Sequence, residues 1–211
     1  MNKIKAVLFD IDGTLLDTTE FILQSFEHTF RSYGLPVPSR ADIALQVGQS
    51  LKHCYEHFNT GIDVADLCET HRKFQVKNLQ LSKPYANTFR TLEKLKRGGI
   101  RLAAVTARGS LTAKKTLELA GIDKFFELIL TGDDVARLKP DPEAFIKAME
   151  ILKIEKSDTI IVGDTDSDIL AGKSAGISTI GVTYGFHGER INDSNPDFVV
   201  DDISEIVPII L

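Results

Sequence analysis

The sequence predicts a doubly wound parallel α/β sheet with a helical domain inserted near its start. Two observations carry this expectation. Six short runs rich in β-branched residues are each followed by a small, polar or acidic turn, and longer amphipathic segments lie between several of them. The interval between the first and second runs breaks the alternation, because residues 16–82 show helical patterns and no convincing strand. Strands alternating with helices favour a parallel sheet covered on both faces.

The runs are Ile4 to Phe9, Leu102 to Thr106, Leu128 to Thr131, Thr159 to Val162, Ser178 to Val182 and the weaker Phe198 to Val200. Their near-continuous hydrophobicity suits strands buried on both faces. Thr88 to Arg97, Leu111 to Ala120 and Glu143 to Leu152 read as amphipathic helices. Gly98-Gly99, Gly121 and Gly176 stand where helices should stop, and Pro142 stands where one should begin. The insert reads as four helices, Glu20 to Tyr33, Arg40 to Val47, Leu51 to Phe58 and Val64 to Leu79, with Asp17 placed to cap the first. Pro84 marks the return to the core, which gives a core domain of residues 1–15 and 83–211 and a helical domain of residues 16–82.

Composition narrows the function. The chain has 211 residues, 43% hydrophobic and 26% charged, as expected of a soluble globular protein. A net charge of −5 argues against nucleic acid or an anionic membrane as partner, since both select excess cationic charge. An anionic substrate must then be met by local cations or a metal. No apolar window approaches the ~20 residues that span a bilayer, and two cysteines make no disulfide framework. The expectation is a cytoplasmic protein, monomeric or a small homo-oligomer.

Polar residues cluster just past the predicted strands: Asp10 and Asp12, Thr106, Lys139, and Asp164 with Asp168. Ligands of open α/β sheets bind beyond the carboxyl ends of the strands, so these distant positions should meet in one site. Converging carboxylates repel one another unless a hard cation sits among them, and oxygen donors suit Mg2+. In that setting Asp10 is placed to attack phosphorus as a carboxylate nucleophile. Asp12 is placed to give a proton to the leaving oxygen and later take one from water. Gly13 permits a tight turn, and Thr14 can hydrogen-bond a nearby carboxylate. The Thr106 hydroxyl and the N–H groups of Ala107 and Arg108 would hold phosphoryl oxygens. Lys139 would neutralise their charge, while Asp164 and Asp168 would complete the metal site.

The motifs Asp10-Ile11-Asp12-Gly13-Thr14, Thr106, Lys139-Pro140-Asp141-Pro142 and Gly163-Asp164-Thr165-Asp166-Ser167-Asp168 resemble those of the haloacid dehalogenase-like hydrolases over the whole chain. The insert after the first motif resembles the subfamily with a helical type-one cap. Leu15-Leu16-Asp17-Thr18 and Pro196-Asp197-Phe198 resemble the phosphoglycolate phosphatase and bacterial pyrophosphatase group. The resemblance implies a Rossmann-like core, an aspartyl-phosphate on Asp10, Asp12 as acid/base, and Mg2+ held by Asp10, the Asp12 carbonyl and Asp164. It implies a small phosphorylated substrate, either a monoester or an anhydride. A phosphomutase using the same nucleophile, a non-enzymatic phosphoacceptor domain and a dehalogenase are the alternatives. In the second motif the family often has Asn after Thr or Ser. Here Ala107 and Arg108 follow Thr106, so Arg108 either reaches substrate or begins an exposed helix.

Three other features invite interpretation. Gly48-Gln49-Ser50 is a candidate substrate-selecting loop between two insert helices. Cys54, His57, Cys68 and His71 form two Cys-x-x-His spacings that would suit zinc, or that simply pack in the insert. His187, in a glycine-rich stretch, reads as part of a flexible surface loop, and Asp166 as solvated.

Overall fold

The computed structural model describes residues 3–211. Six strands, β1 (Ala6–Phe9), β4 (Arg101–Val105), β5 (Leu128–Leu130), β6 (Thr159–Gly163), β7 (Ser178–Val182) and β8 (Phe198–Val200), form a sheet of order β5-β4-β1-β6-β7-β8. Every pairing in it is parallel. The connections diverge at β1, which lies between β4 and β6, and this switch point opens a crevice at the strands' carboxyl ends.

Alternation along the strands builds the two covered faces. Val7 and Phe9 of β1 join one core cluster, and Leu8 between them joins the other. The first face receives Leu92 and Leu95 of α5 (Thr88–Arg97) and Leu117 of α6 (Ser110–Leu119). The second receives Phe145 and Ala148 of α7 (Glu143–Leu152) and Ala171 of α8 (Asp166–Ala175). A short α9 (Val207–Ile210) closes the chain's course.

Between the first two sheet strands the chain forms α1 (Thr19–Ser32), α2 (Arg40–Gln46), α3 (Leu51–Phe58) and α4 (Val64–Lys77). These helices enclose a hydrophobic cluster of their own, with Phe26, Phe30, Ile43, Tyr55 and Leu67 buried in it. Asp17 Oδ1 accepts the Thr19 N–H at 3.0 Å at the start of α1, as its position suggested. Ser39 and Ser50 cap α2 and α3 through Asp42 N–H and His53 N–H.

One expectation for this interval needs correction. The chain leaves and re-enters the core as a two-stranded antiparallel ribbon, β2 (Leu16–Asp17) against β3 (Lys83–Pro84), where no strand is expected from the residue pattern. Two-residue strands are too short to show a periodicity. Among the described residues, no helix is long and apolar enough to cross a membrane.

Candidate active site

Two neighbouring central strands and the helix after the second deliver the acidic residues. Asp10 follows β1 directly, held by its own N–H to the Val162 carbonyl at 2.9 Å. Asp164 follows β6, and Asp168 lies in the first turn of α8. One carboxylate oxygen from each of Asp10, Asp164 and Asp168 falls within 4.8 Å of the others, and all three residues are buried. Lys139 arrives from the β5–α7 connection rather than from a strand end. Its ammonium donates to Asp10 Oδ1 at 2.5 Å, Asp168 Oδ1 at 2.6 Å and the Val105 carbonyl at 3.2 Å, which uses all three of its protons.

The electrostatics follow from this crowding. Burial raises the Asp10 carboxyl to about 7, with Lys139 pulling down and Asp168 and Asp12 pushing up. Burial likewise raises Asp164 well above the ordinary carboxylate range, helped by Asp10 and Asp168. Burial would lower Lys139, but the charges of Asp10 and Asp168 overcome it and leave the ammonium above its ordinary range. Three buried carboxylates facing one ammonium are short of positive charge, and their hard oxygen donors fit a divalent cation of the Mg2+ type.

Local hydrogen bonds fix each carboxylate. Asp164 accepts the Thr14 hydroxyl at 3.1 Å and the Phe186 N–H at 2.8 Å. Asp168 Oδ2 accepts the N–H and hydroxyl of Thr165 in a capping box at the start of α8, while its Oδ1 meets Lys139. One carboxylate of Asp168 therefore caps the start of α8 and meets Lys139 at the same time. Gly13 has φ +85°, and a Cβ there would fall on Asp164 Oδ2. Glycine is thus needed both for the turn and for the approach of Asp164.

Asp12 faces elsewhere. Its carboxylate is gripped by the Arg108 guanidinium, with Nε to Oδ2 at 3.1 Å and Nη2 on Oδ1. The side chain of Asp12 is therefore outside the acidic cluster, and the backbone carbonyl is the atom left for the expected metal contact. Arg108 does not begin an exposed helix: α6 starts at Ser110, and the Arg108 side chain is only 6% exposed. Thr106 Oγ1 accepts the Arg108 N–H at 3.1 Å.

A cavity of about 630 Å3 lies between the helical unit and the sheet. Asp10, Asp12, Thr106, Ala107, Arg108, Lys139 and Asp168 line its floor, and Gly48 and Gln49 enter from the helical side. Gln49 Nε2 donates to Ser167 Oγ at 3.4 Å, so the loop between α2 and α3 touches the start of α8. Of the candidate site residues, all but Asp164 line this cavity, and Asp164, with 0% exposure, joins Asp10 and Asp168 beneath it.

Of the two readings of the Cys-x-x-His set, the packing one fits, since Cys54, Cys68 and His71 are buried in the insert. Among the described residues the one cluster of potential metal ligands is the Asp10, Asp164 and Asp168 group. His71 instead pairs Nδ1 with the Tyr55 hydroxyl at 2.9 Å and Nε2 with Gln75 at 2.9 Å, and Cys54 donates to the Gln46 carbonyl. His187 is buried rather than carried on a loose loop, and its Nδ1 accepts the Asp166 N–H at 3.2 Å. Lys52, Arg72 and Gln75, not expected at the site, line the cavity from α3 and α4 together with His71. The grouping of His71, Arg72 and Gln75 within one turn of α4 was the available signal.

Comparison with known proteins agrees with this architecture. The profile of the haloacid dehalogenase-like hydrolases matches residues 7–182. Pyrophosphatase PpaX of Halalkalibacterium halodurans is 38% identical over 210 residues, covering 99% of this chain and 97% of the relative. Pyrophosphatase PpaX of Bacillus mycoides is 34% identical over the same shares. A predicted phosphoglycolate phosphatase from Haemophilus somnus superposes with a TM-score of 0.89 at 28% identity, over 100% of both chains. A haloacid dehalogenase-like family protein from Streptococcus pneumoniae has the same fold, with a TM-score of 0.91 at 23% identity. Matched by the profile over residues 7–182 and by relatives over 99% of its length, this chain belongs to the haloacid dehalogenase-like hydrolases.

Proposed function

We propose that the chain is a Mg2+-dependent phosphatase that hydrolyses a small phosphate anhydride or monoester, with inorganic pyrophosphate the leading candidate. The observation that carries this reading is the meeting of Asp10 with Lys139 at the switch point, beside the Asp164 and Asp168 carboxylates. The pyrophosphatase relatives at 34–38% identity favour an anhydride among the small phosphates.

Asp10 attacks the phosphorus through a carboxylate oxygen, forming an aspartyl-phosphate and breaking the bond to the leaving oxygen. Asp12 gives that oxygen a proton, then accepts one from the water that attacks the aspartyl-phosphate, so both half-reactions use one carboxyl group. The Thr106 hydroxyl donates a hydrogen bond to a phosphoryl oxygen, and the Ala107 N–H donates another beside it. Lys139 stays between Asp10 and Asp168, where its charge keeps Asp10 ionised for attack against the effect of burial. Asp10, Asp164, Asp168 and the Asp12 carbonyl would hold Mg2+, which when bound supplies positive charge to the transferring group.

The helical unit acts as a cap, in this reading. Its Gln49, Lys52, Arg72 and Gln75 face the cavity opposite the carboxylates, where they meet the part of the substrate that is not transferred. Gly48 and Gln49 close the site against the start of α8 and exclude bulk water.

The test is phosphate release with Mg2+ from pyrophosphate, 2-phosphoglycolate, sugar phosphates, nucleotides and p-nitrophenyl phosphate, with Asp10→Asn protein alongside. Turnover that disappears in the variant is the expected result. Phosphate release that persists in Asp10→Asn would remove the aspartyl-phosphate route. Release from none of the compounds would remove the phosphatase reading.

A further inference from the structure

Arg108 lies two residues after the motif threonine Thr106, and its guanidinium has three distinct partners. The Nη1 atom donates to Thr116 Oγ1 of α6 at 3.0 Å. The flat face lies on the Phe21 ring of α1, with Cζ 4.4 Å from the ring centroid. The remaining edge, Nε and Nη2, holds both oxygens of Asp12. Two of these contacts anchor the group, one to α6 of the core and one to α1 of the inserted helical unit. The third edge is turned toward the reacting site, because Asp12 and Arg108 both line the cavity that Asp10 lines.

An arginine edge of this geometry binds a carboxylate or a phosphate equally well, through two parallel N–H···O bonds. Lys139 cannot take that part, since its three protons are committed to Asp10, Asp168 and Val105. While Arg108 holds both Asp12 oxygens, Asp12 is tied away from the oxygen it must serve.

We infer that Arg108 exchanges partners: its Nε/Nη2 edge holds Asp12 in the resting site and moves to the second anionic group of the substrate on binding, which releases Asp12 for the reaction. The inference rests on the phosphatase reading and narrows its substrate class. Substrates whose transferred phosphoryl group is joined to a second phosphoryl group engage the switch. Esters with an uncharged leaving portion do not. The Thr116 and Phe21 contacts keep the planar guanidinium in place, so the exchange needs only the Asp12 side chain to turn away and the substrate's anionic group to take its position on that edge. A buried arginine keeps an anionic partner throughout, which avoids the cost of leaving its charge unpaired.

The test compares kcat/KM for pyrophosphate and for p-nitrophenyl phosphate, with Mg2+, in wild-type, Arg108→Ala and Arg108→Lys proteins. Loss of a charge-assisted fork weakens binding by about thirtyfold. The pyrophosphate to p-nitrophenyl phosphate ratio should therefore fall by that factor in Arg108→Ala, chiefly through KM. Arg108→Lys, which keeps the charge and loses the fork, should fall between. Calorimetry with imidodiphosphate, which resists hydrolysis, should show the same order of affinity. Equal losses on both substrates, or an unchanged imidodiphosphate affinity in Arg108→Ala, would overturn the exchange. If wild-type protein releases phosphate from neither compound, the phosphatase reading fails, and the calorimetric comparison still decides the role of Arg108. Urea midpoints confirm folding, and Arg108→Lys carries the comparison if the alanine protein is unfolded.

Discussion

Lys139 Nζ sits 2.5 Å from Asp10 Oδ1, and both side chains are more than nine-tenths buried. The same ammonium reaches Asp168 at 2.6 Å, so a single cation partners two carboxylates while an oxygen of Asp164 lies within 4.8 Å of an oxygen of each. The cluster is anionic on balance and its members are short of water. This arrangement is costly for the fold and useful for the chemistry, because Asp10 must be charged at the moment of attack and Lys139 is what favours that charge.

Removing the lysine should expose that cost. Lys139→Met leaves buried carboxylates without their partner, and breaking a buried pair in this way costs about 3–5 kcal/mol. Urea unfolding in the presence of a chelator should show a loss of this order, and phosphate release should fall below detection. A loss under 1 kcal/mol would mean that the carboxylates relax into solvent and that the pair contributes little to the fold.

The acidic cluster also predicts a metal-linked gain in stability. A ligand present at a hundredfold excess over its Kd and bound only by the folded state adds about 2.7 kcal/mol. The Tm of wild-type protein should therefore climb with Mg2+ concentration, while that of Asp164→Asn should rise far less. Asp164 suits this comparison because it is fully buried and bonded to Thr14 and Phe186 N–H, so asparagine can keep much of its packing. Parallel curves for the two proteins would place the cation elsewhere.

The strands and the acidic motifs were legible because each has a local cause. Buried parallel strands such as Ile160, Ile161 and Val162 must be apolar on both faces, and Asp10 and Asp164 follow their strands at once. What the sequence hides are partnerships made across the fold. Arg108 finds Asp12 from 96 positions away, and nothing near either residue announces the contact. His71 illustrates an ambiguity of spacing. Cys and His three residues apart suit a metal or a packed helix face equally, and the Tyr55 hydroxyl on α3 decides the matter. Similarly, His187 owes its burial to the start of α8 rather than to its glycine-rich neighbours.

The buried histidine of α4 makes a prediction about acid. Burial lowers the His71 pKa from the ordinary 6.5 to about 3, with Arg72 and Arg108 adding to the effect. A folded state that stays neutral while the unfolded chain takes up a proton loses stability as pH falls. The loss begins near 6.5 and runs down toward 3. At pH 5 this one residue should cost about 2 kcal/mol relative to neutral pH. In His71→Gln, which retains polar contacts but does not titrate, the drop between pH 7.5 and 5 should be smaller by that amount. Carboxylate contributions are common to both proteins and cancel in the difference. Equal drops would show that His71 protonates within the fold.

The loop between α2 and α3 offers a test of closure by backbone geometry alone. Gly48 has φ +98°, and a Cβ built there would stand 3.1 Å from Thr165 Cβ and Oγ1. Thr165 is the residue that caps α8 together with Asp168, so the loop rests on the same turn that positions a site carboxylate. Gly48→Ala is therefore opposed twice, by a left-handed backbone that alanine disfavours and by the threonine in its way. A penalty of about 1 kcal/mol from the backbone alone is expected. If Gly48 and Gln49 close over the substrate, the alanine variant should lift the loop from α8 and raise KM for pyrophosphate by more than it lowers kcat. Gln49→Ala, which removes the Ser167 contact without touching the backbone, should move KM in the same direction with little change in stability. If both variants lose stability alone and keep wild-type KM, the loop is a structural turn and the selection of substrate lies with Lys52, Arg72 and Gln75 on the neighbouring helices.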